Sequence, residues 1–359
     1  MKKINKDIRA ANTLTGKYYN SNLFFKKTID NIFCTNWLLV TNKSNLKNNS
    51  DVYPFNYLEN AIAEPLLLVN NNNSIKCFSN VCTHRGNILV NKACQIKRNI
   101  TCSYHGKQFD LNGKFISMPK CEGMKNFPSI EDDLDEIQVK EWKGFIFSSL
   151  NPKIIFDELF EDIEKRIGWM PIEKFKYRND LSKEYIFNAN WALYCDNYLE
   201  GFHIPFVHSD LNAVLDFENY DVEIFKYSNL QIGVASDNDI CFDLPKESPD
   251  YGKKIAAYYF WVFPNMMFNF YPWGLSLNIV IPITKTKTKV IFQSYVWDEE
   301  KLNIGAGANL DKVEKEDEEI VEKVQLGTAS RFYKSGRFSP LMEKGVHHFH
   351  SLISEFINM

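Results

Sequence analysis

Two short runs of the chain each bring one thiol and one imidazole close together: Cys82-Thr-His84-Arg-Gly86 and Cys102-Ser-Tyr-His105-Gly106, with residues 85 to 101 between the pairs. Glycine closes both runs, which suits tight turns with positive φ and close backbone approach. A third run, Glu200-Gly-Phe-His203-Ile-Pro205-Phe-Val-His208, holds two more of the chain's seven histidines, with an acid ahead of them and a proline between. Residues of these types are either metal ligands or ordinary polar groups at loops and helix ends. Spacing has to decide between the two.

Two Cys and two His serve a structural zinc or a Rieske [2Fe–2S] cluster, where two His replace two Cys on one iron. Zinc sites usually group like residues as Cys-x-x-Cys. Here each loop mixes the two types, so facing loops would give one iron both thiolates and the other both imidazoles. This spacing favours the cluster, with zinc and unligated core residues as rivals. The other cysteines (Cys34, Cys77, Cys94, Cys121, Cys195 and Cys241) lack such pairing and read as reduced, buried small hydrophobes.

His203 and His208 would stand about 140° apart on a regular helix, given 3.6 residues per turn. They converge on one ion only if Pro205 breaks the helix and Gly201 loosens it. An O₂-activating non-haem iron takes two His and one carboxylate. Downstream, Val313, Ile320, Val321 and Val324 form an apolar stripe at helical spacing, and Asp317 falls within it. A buried carboxylate needs a partner, which a metal would supply. A solvated acidic helix in a slipped register is the plain alternative, and Glu318 is the neighbouring candidate.

At CTHRG and CSYHG the chain resembles the Rieske non-haem iron oxygenase α subunits, and the likeness runs from Tyr18-Tyr-Asn-Ser to the C-terminal end. The resemblance implies that Cys82, His84, Cys102 and His105 hold the cluster and that Tyr104 hydrogen-bonds its sulfurs. It places the third iron ligand in an acidic, then apolar, run ending in Gln325, which matches Asp317 beside His203 and His208. It implies an electron route from His105 through Glu200 of the next subunit to His203, hence a homotrimer. Asn197 matches a position near the iron, and Asn190 and Trp191 look structural. Two departures stand out. Lys107 follows the second His-Gly where Trp is common, which would alter the surface around the cluster or donor docking. Glu200 replaces the usual Asp and resembles the choline, betaine and carnitine branch.

The implied activity is that of a terminal oxygenase. It would use O₂ and electrons from a separate NAD(P)H-dependent reductase, with flavin or a ferredoxin only there, to hydroxylate a small quaternary ammonium or N-alkyl compound. An aromatic-ring dioxygenase is the alternative, and an electron-transfer protein with a dead iron site the remote one. The chain itself has no dinucleotide fingerprint.

The elements that must position these residues suggest an α+β protein. Residues 1–36 form a leading segment that packs on the catalytic domain. Residues 37–150 form an all-β Rieske domain of short strands, and residues 151–359 a helix-grip catalytic domain. In the latter a helix near Ile154–Trp169 precedes strands at Val222–Phe225, Leu230–Ser236, Ala256–Val262, Met266–Tyr271, Leu275–Ile281 and Lys289–Trp297. Helices follow at Leu310–Lys334 and Leu341–Phe356. The run Tyr258 to Trp273 is expected to wall the substrate cavity, with Phe268 and Phe270 facing it. His347 and His350, one turn apart, offer a minor second-metal reading. The net charge of −3 and the absence of a basic block argue against a nucleic-acid partner. The N-terminus lacks an apolar signal core, and no apolar run approaches the roughly 20 residues that span a bilayer, so a cytoplasmic protein without a membrane partner is expected.

Overall fold

A computed structural model of the chain describes residues 1–207, 222–235, 240–305 and 310–359. Two compact units emerge: Thr35–Lys153, and Met1–Cys34 together with Ile154–Met359. The eight cysteines are all free thiols.

The first unit is all strand and turn. Its strands are β1 (Leu38–Asn42), β2 (Asp51–Tyr57), β3 (Glu64–Asn71), β4 (Ser74–Ser79), β5 (Cys94–Gln95), β6 (Ile100–Thr101), β7 (Gln108–Phe109), β8 (Phe115–Ser117), β9 (Glu136–Trp142) and β10 (Phe145–Ser149). Seven form an antiparallel sheet in the order β1-β10-β9-β4-β3-β2-β5, and β6-β7-β8 form a small second sheet. The core between them contains Leu67, Val69, Phe78, Ile100 and Phe109, with Cys82 and Cys102 at its edge. The Asn-Gly turn between β7 and β8 places Gly113 at φ 76°, where an added β-carbon would lie 2.7 Å from the Phe78 ring. Only glycine meets both demands.

In the second unit the helices are α1 (Gly16–Asn20), α2 (Asn22–Asn31), α3 (Asp157–Ile167), α4 (Trp191–Tyr198), α5 (Ile204–Val207), α6 (Leu310–Thr328) and α7 (Lys344–Ile357). The strands are β11 (Lys176–Phe187), β12 (Val222–Ile224), β13 (Ser228–Val234), β14 (Ile255–Val262), β15 (Met266–Tyr271), β16 (Gly274–Thr284) and β17 (Lys287–Val296), in the order β11-β17-β16-β15-β14-β13-β12. The long strand β11 gives little signal in the sequence. It is an edge strand that pairs only with β17, across an irregularity between Arg178 and Lys183, so its side chains are mostly polar on both faces.

Helices cover both faces of this sheet. On one face, α3 buries Leu159, Phe160, Ile163 and Ile167, and Phe160 meets Phe268 edge-on at 5.9 Å. On the other, Tyr198 of α4 donates to Asn269 Oδ1 at 2.7 Å, and Phe349 of α7 packs against Trp261. Strand alternation then puts Phe268 and Phe270 on the α3 face, away from α4. The expectation that they face the cavity is thus corrected. A further correction concerns the free cysteines: Cys77 and Cys195 are buried, but Cys94 is exposed and Cys34, Cys121 and Cys241 are half-buried.

A charged group pins α3 to the sheet. Asp250, fully buried, accepts from Arg166 Nη1 (2.6 Å), Lys253 Nζ (2.8 Å) and Tyr258 Oη (3.0 Å), and Arg166 also pairs with Glu223. Removing Asp250 leaves the buried Tyr258 hydroxyl without its acceptor and the Arg166 guanidinium with Glu223 alone. Asp250→Ala should therefore cost about 3–5 kcal/mol, seen as lower thermal and urea midpoints; a loss below about 1 kcal/mol would show the network to be idle.

Candidate functional site

The two thiol–imidazole runs fold as matching loops. Cys82 N–H donates to Asn87 O (2.8 Å) and Gly86 N–H to Cys82 O (3.0 Å); Cys102 N–H donates to Lys107 O (2.8 Å) and Gly106 N–H to Cys102 O (3.0 Å). Gly86 and Gly106 sit at φ 69° and 72°, a region a β-carbon makes costly. Like faces like across the loops. The two thiols are close enough to influence each other's ionisation, and the His84 and His105 rings lie 4.7 Å apart.

Burial opposes ionisation of Cys102, yet N–H groups of Tyr104, His105 and Asn87 directed at its sulfur hold it below the usual thiol range. His105 Nδ1 is buried without a hydrogen-bond partner, a costly state that a metal would relieve. Pairs of like donors and an orphaned imidazole nitrogen fit a two-iron cluster with two protein ligands per iron. Tyr104 is exposed and lies over His105 at 3.7 Å. Lys107 is not on the surface as expected; it is 1% exposed. Its ammonium pairs with Asp132, so this departure acts inside the loop rather than on the face a donor would meet.

The second site begins at α4. Asn190 caps this helix: its Oδ1 accepts Ala192 N–H at 3.0 Å, and its Nδ2 donates to Lys285 O at 2.8 Å. Trp191 is fully buried between Phe33 and Phe349. After Leu199 the helix stops, and α5 resumes at Ile204 with Pro205 in its first turn, where no amide is required. In the gap between the two helices, Glu200 turns back on its own chain. Its Oε2 accepts the amides of Phe202 and His203, and its Oε1 lies 2.8 Å from His203 Nδ1.

That bond leaves His203 Nε2 facing Asp317 Oδ1 at 3.5 Å. Two donors of one ion, each bonded at about 2.1 Å, stand roughly 3–3.5 Å apart, so this pair fits a shared metal. Asn197 Nδ2 donates to the same Asp317 oxygen at 2.6 Å. Burial lowers the basicity of His203, but hydrogen bonds to Asp317 and Glu200 and their charges outweigh it and raise the imidazole to about 9. The structure thus brings Asn197, Glu200, His203 and Asp317 together, while His208 lies outside the described residues. Among the described residues no three His, Cys, Asp or Glu side chains converge on one point, so the iron site is incomplete without a further ligand. Glu318, the alternative acid, is pushed up by burial and then by Glu322.

Some functional packing was not legible. Among the described side chains of α6 the buried ones are Val321, Gln325 and Thr328, whereas Val324 is 45% exposed. Gln325 takes the stripe's place because it bonds both Asn190 N–H (2.8 Å) and Asn20 Oδ1 (2.8 Å), tying α6 to α4 and α1. The C-terminal histidines serve separate partners. His350 Nδ1 accepts Leu14 N–H at 3.1 Å, so its Nε2–H donates to Asp196 at 2.8 Å, which Tyr19 also contacts. His347 bonds the Asn5 carbonyl. Asp196, Asn197, Glu200, Val321, Glu343 and His350 bound an open cavity of about 200 Å³.

The sheet face beneath α4 is aromatic and polar. Tyr271 stacks on Trp273 at 5.3 Å and meets Tyr259 edge-on at 5.9 Å. Gln231, Asn269, Ser276 and Asn278 share this face by register.

Residues 36–128 match the family model described as a Rieske [2Fe-2S] domain, and residues 169–358 match the ring hydroxylating alpha subunit (catalytic domain). Choline monooxygenase of Arabidopsis thaliana is 29% identical, with 96% of this chain and 83% of that protein aligned. The carnitine monooxygenase oxygenase subunit of Escherichia coli is 28% identical, covering 96% and 93%. The crystal structure of the quaternary ammonium Rieske monooxygenase CntA with an inhibitor superposes with a TM-score of 0.79 at 23% identity, over 99% of both chains, and shares this fold.

Two measurements test the second site. Asp317→Ala should lose the mononuclear iron while keeping the cluster's visible absorbance; retention of both would remove Asp317 from the ligand set. Iron(II) must also displace the proton that His203 holds below about pH 9. Apparent iron affinity of iron-free protein should therefore rise about tenfold per pH unit between pH 6 and 8, and pH-independent uptake would exclude His203.

Proposed function

The chain belongs to the ring-hydroxylating oxygenase α subunits that carry a Rieske domain, and from this premise we propose that it monooxygenates a small quaternary ammonium or N-alkyl compound. The enzyme is a Rieske non-haem iron oxygenase with a [2Fe–2S] cluster and a mononuclear iron, and its electrons come from a separate reductase. In this reading Cys82, His84, Cys102 and His105 hold the cluster, and His203, His208 and Asp317 hold the iron. When bound, the two centres supply electrons and an O₂-activating metal; the rest is done by side chains. Hydroxylation of a carbon attached to nitrogen leads to dealkylation or C–N cleavage.

The observation that carries the substrate class is the group Tyr259, Tyr271 and Trp273 on the sheet face under α4, packed with Ala256, Ala257 and Val296. Ring faces attract a cation that cannot donate hydrogen bonds, worth about 1–2 kcal/mol when desolvated. Gln231 and Asn269 on the same face hold Tyr198 and so set the space under α4, and Asn278 offers a polar contact for the rest of a small substrate. The similarity to choline and carnitine monooxygenases supports the same class.

Glu200 has a second task in this reading. A carboxylate has about four lone-pair positions, and three serve His203 Nδ1 and the two amides. The remaining position would accept from His105 of a neighbouring subunit, which makes the working form a homotrimer. Asn197 holds Asp317 in place. A cytoplasmic setting belongs to the same proposal; no described helix is long and apolar enough to cross a membrane.

The test is turnover with a surrogate reductase, NADH and O₂. Choline, glycine betaine or carnitine should give coupled O₂ uptake and product, whereas turnover confined to aromatic acids or hydrocarbons would overturn the assignment. Tyr271→Leu should raise KM for the ammonium substrate about 5- to 30-fold, with kcat much less affected.

A further inference from the structure

Lys107 is the final residue of the second cluster loop and matches Asn87 of the first by hydrogen-bond pattern. Asn87 turns toward the cluster side and donates to Cys102 Sγ at 3.6 Å and Ser103 Oγ at 3.3 Å. Lys107 instead carries a full charge into a nearly dry pocket. Its side chain is 2% exposed, with Nζ 2.9 Å from Asp132 Oδ1 and 5.2–5.8 Å from the ring centroids of Phe109, Phe115 and Phe127. Asp132 is held in turn by Ser129 N–H at 2.9 Å, and its backbone carbonyl accepts the Thr83 hydroxyl at 2.9 Å. The pair therefore touches both loops: the second through the Lys107 backbone, the first through Thr83, which lies between Cys82 and His84.

Stability alone does not account for this pair. Burying an ammonium costs several kcal/mol, and apolar residues of similar volume often stabilise a protein as well or better. A neutral aromatic side chain would fill the same pocket among three phenylalanines. What Lys107 adds is a fixed charge, carried on the residue that closes the second cluster loop and tied through Asp132 to Thr83 of the first. One-electron reduction adds one negative charge to the cluster, so a nearby ammonium favours the reduced state and a nearby carboxylate opposes it.

We propose that the Lys107–Asp132 pair is a positioning device that sets the reduction potential of the cluster held by Cys82, His84, Cys102 and His105. The inference rests on that ligand assignment, which the visible and EPR spectra of wild-type protein test separately before any variant is compared. The readout is the midpoint potential of purified, cluster-loaded protein by optical redox titration at pH 7. Lys107→Met leaves the carboxylate uncompensated and should lower the reduced-to-oxidised ratio at a given potential about tenfold, a fall of about 59 mV for one electron. Asp132→Asn should shift the potential the opposite way. Lys107→Arg, which keeps the charge, should stay near wild type, and the Met/Asn double variant should return toward it. If Lys107→Met does not load a cluster, the sign of the Asp132→Asn shift decides. Unchanged potentials with a lowered melting temperature would make the pair purely structural and overturn the proposal.

Discussion

A metal-binding imidazole usually has its ring held by the other nitrogen, and in this chain the Glu200–His203 hydrogen bond fixes the ring in that way. The 2.8 Å contact at Nδ1 turns Nε2 toward Asp317. The contact requires Glu200 to fold back on its own backbone, which is compatible only with a chain that has left helical geometry. Leu199 ends α4, the amides of Phe202 and His203 close around the carboxylate, and Pro205 begins the next short helix. The break between two helices thus sets the direction in which His203 Nε2 points.

Much of the catalytic unit holds that break in place. Asn190 caps α4 and is gripped by Gln325 of α6, the helix that carries Asp317. Asp196, on the next turn, is fixed by His350 of α7 and Tyr19 of α1. The leading segment therefore serves the site through Tyr19, Asn20 and the amide of Leu14. On the opposite side, Tyr198 is pinned to Asn269 and Gln231, which sets the distance between α4 and the sheet. The aromatic face of Tyr259, Tyr271 and Trp273 is defined by that spacing.

The Rieske unit solves a different problem. Two thiolates and two imidazoles must be grouped by kind although the chain delivers them in mixed pairs. Two loops of the same hydrogen-bond pattern, each with a positive-φ glycine, face one another, and the pairing follows. The loops differ at their last residue. Asn87 serves the other loop's sulfur directly, whereas Lys107 acts through Asp132 and its charge.

The residue types and spacing of the two thiol–imidazole loops and the all-β then α+β order were determined by the sequence itself, whereas the helix expected to break at Pro205 ends earlier, at Leu199, and Pro205 lies within the next helix. The former are local: a loop glycine or a run such as Met266–Tyr271 dictates its conformation within a few residues. Asp317 drew attention as a carboxylate within an apolar period, but its place beside His203 and Asn197 comes from the tertiary structure. Facing and partnership were decided only by tertiary structure. Strand alternation makes Phe268 and Phe270 share a face, but only the docking of α3 and α4 tells which face is which. Gln325 looked like an end to a hydrophobic stripe until Asn190 and Asn20 met it. Lys107 looked like a surface change until three phenylalanines and Asp132 closed over it. In each case the deciding partner is far away in the chain, and burial of a polar group is affordable only once that partner is in place.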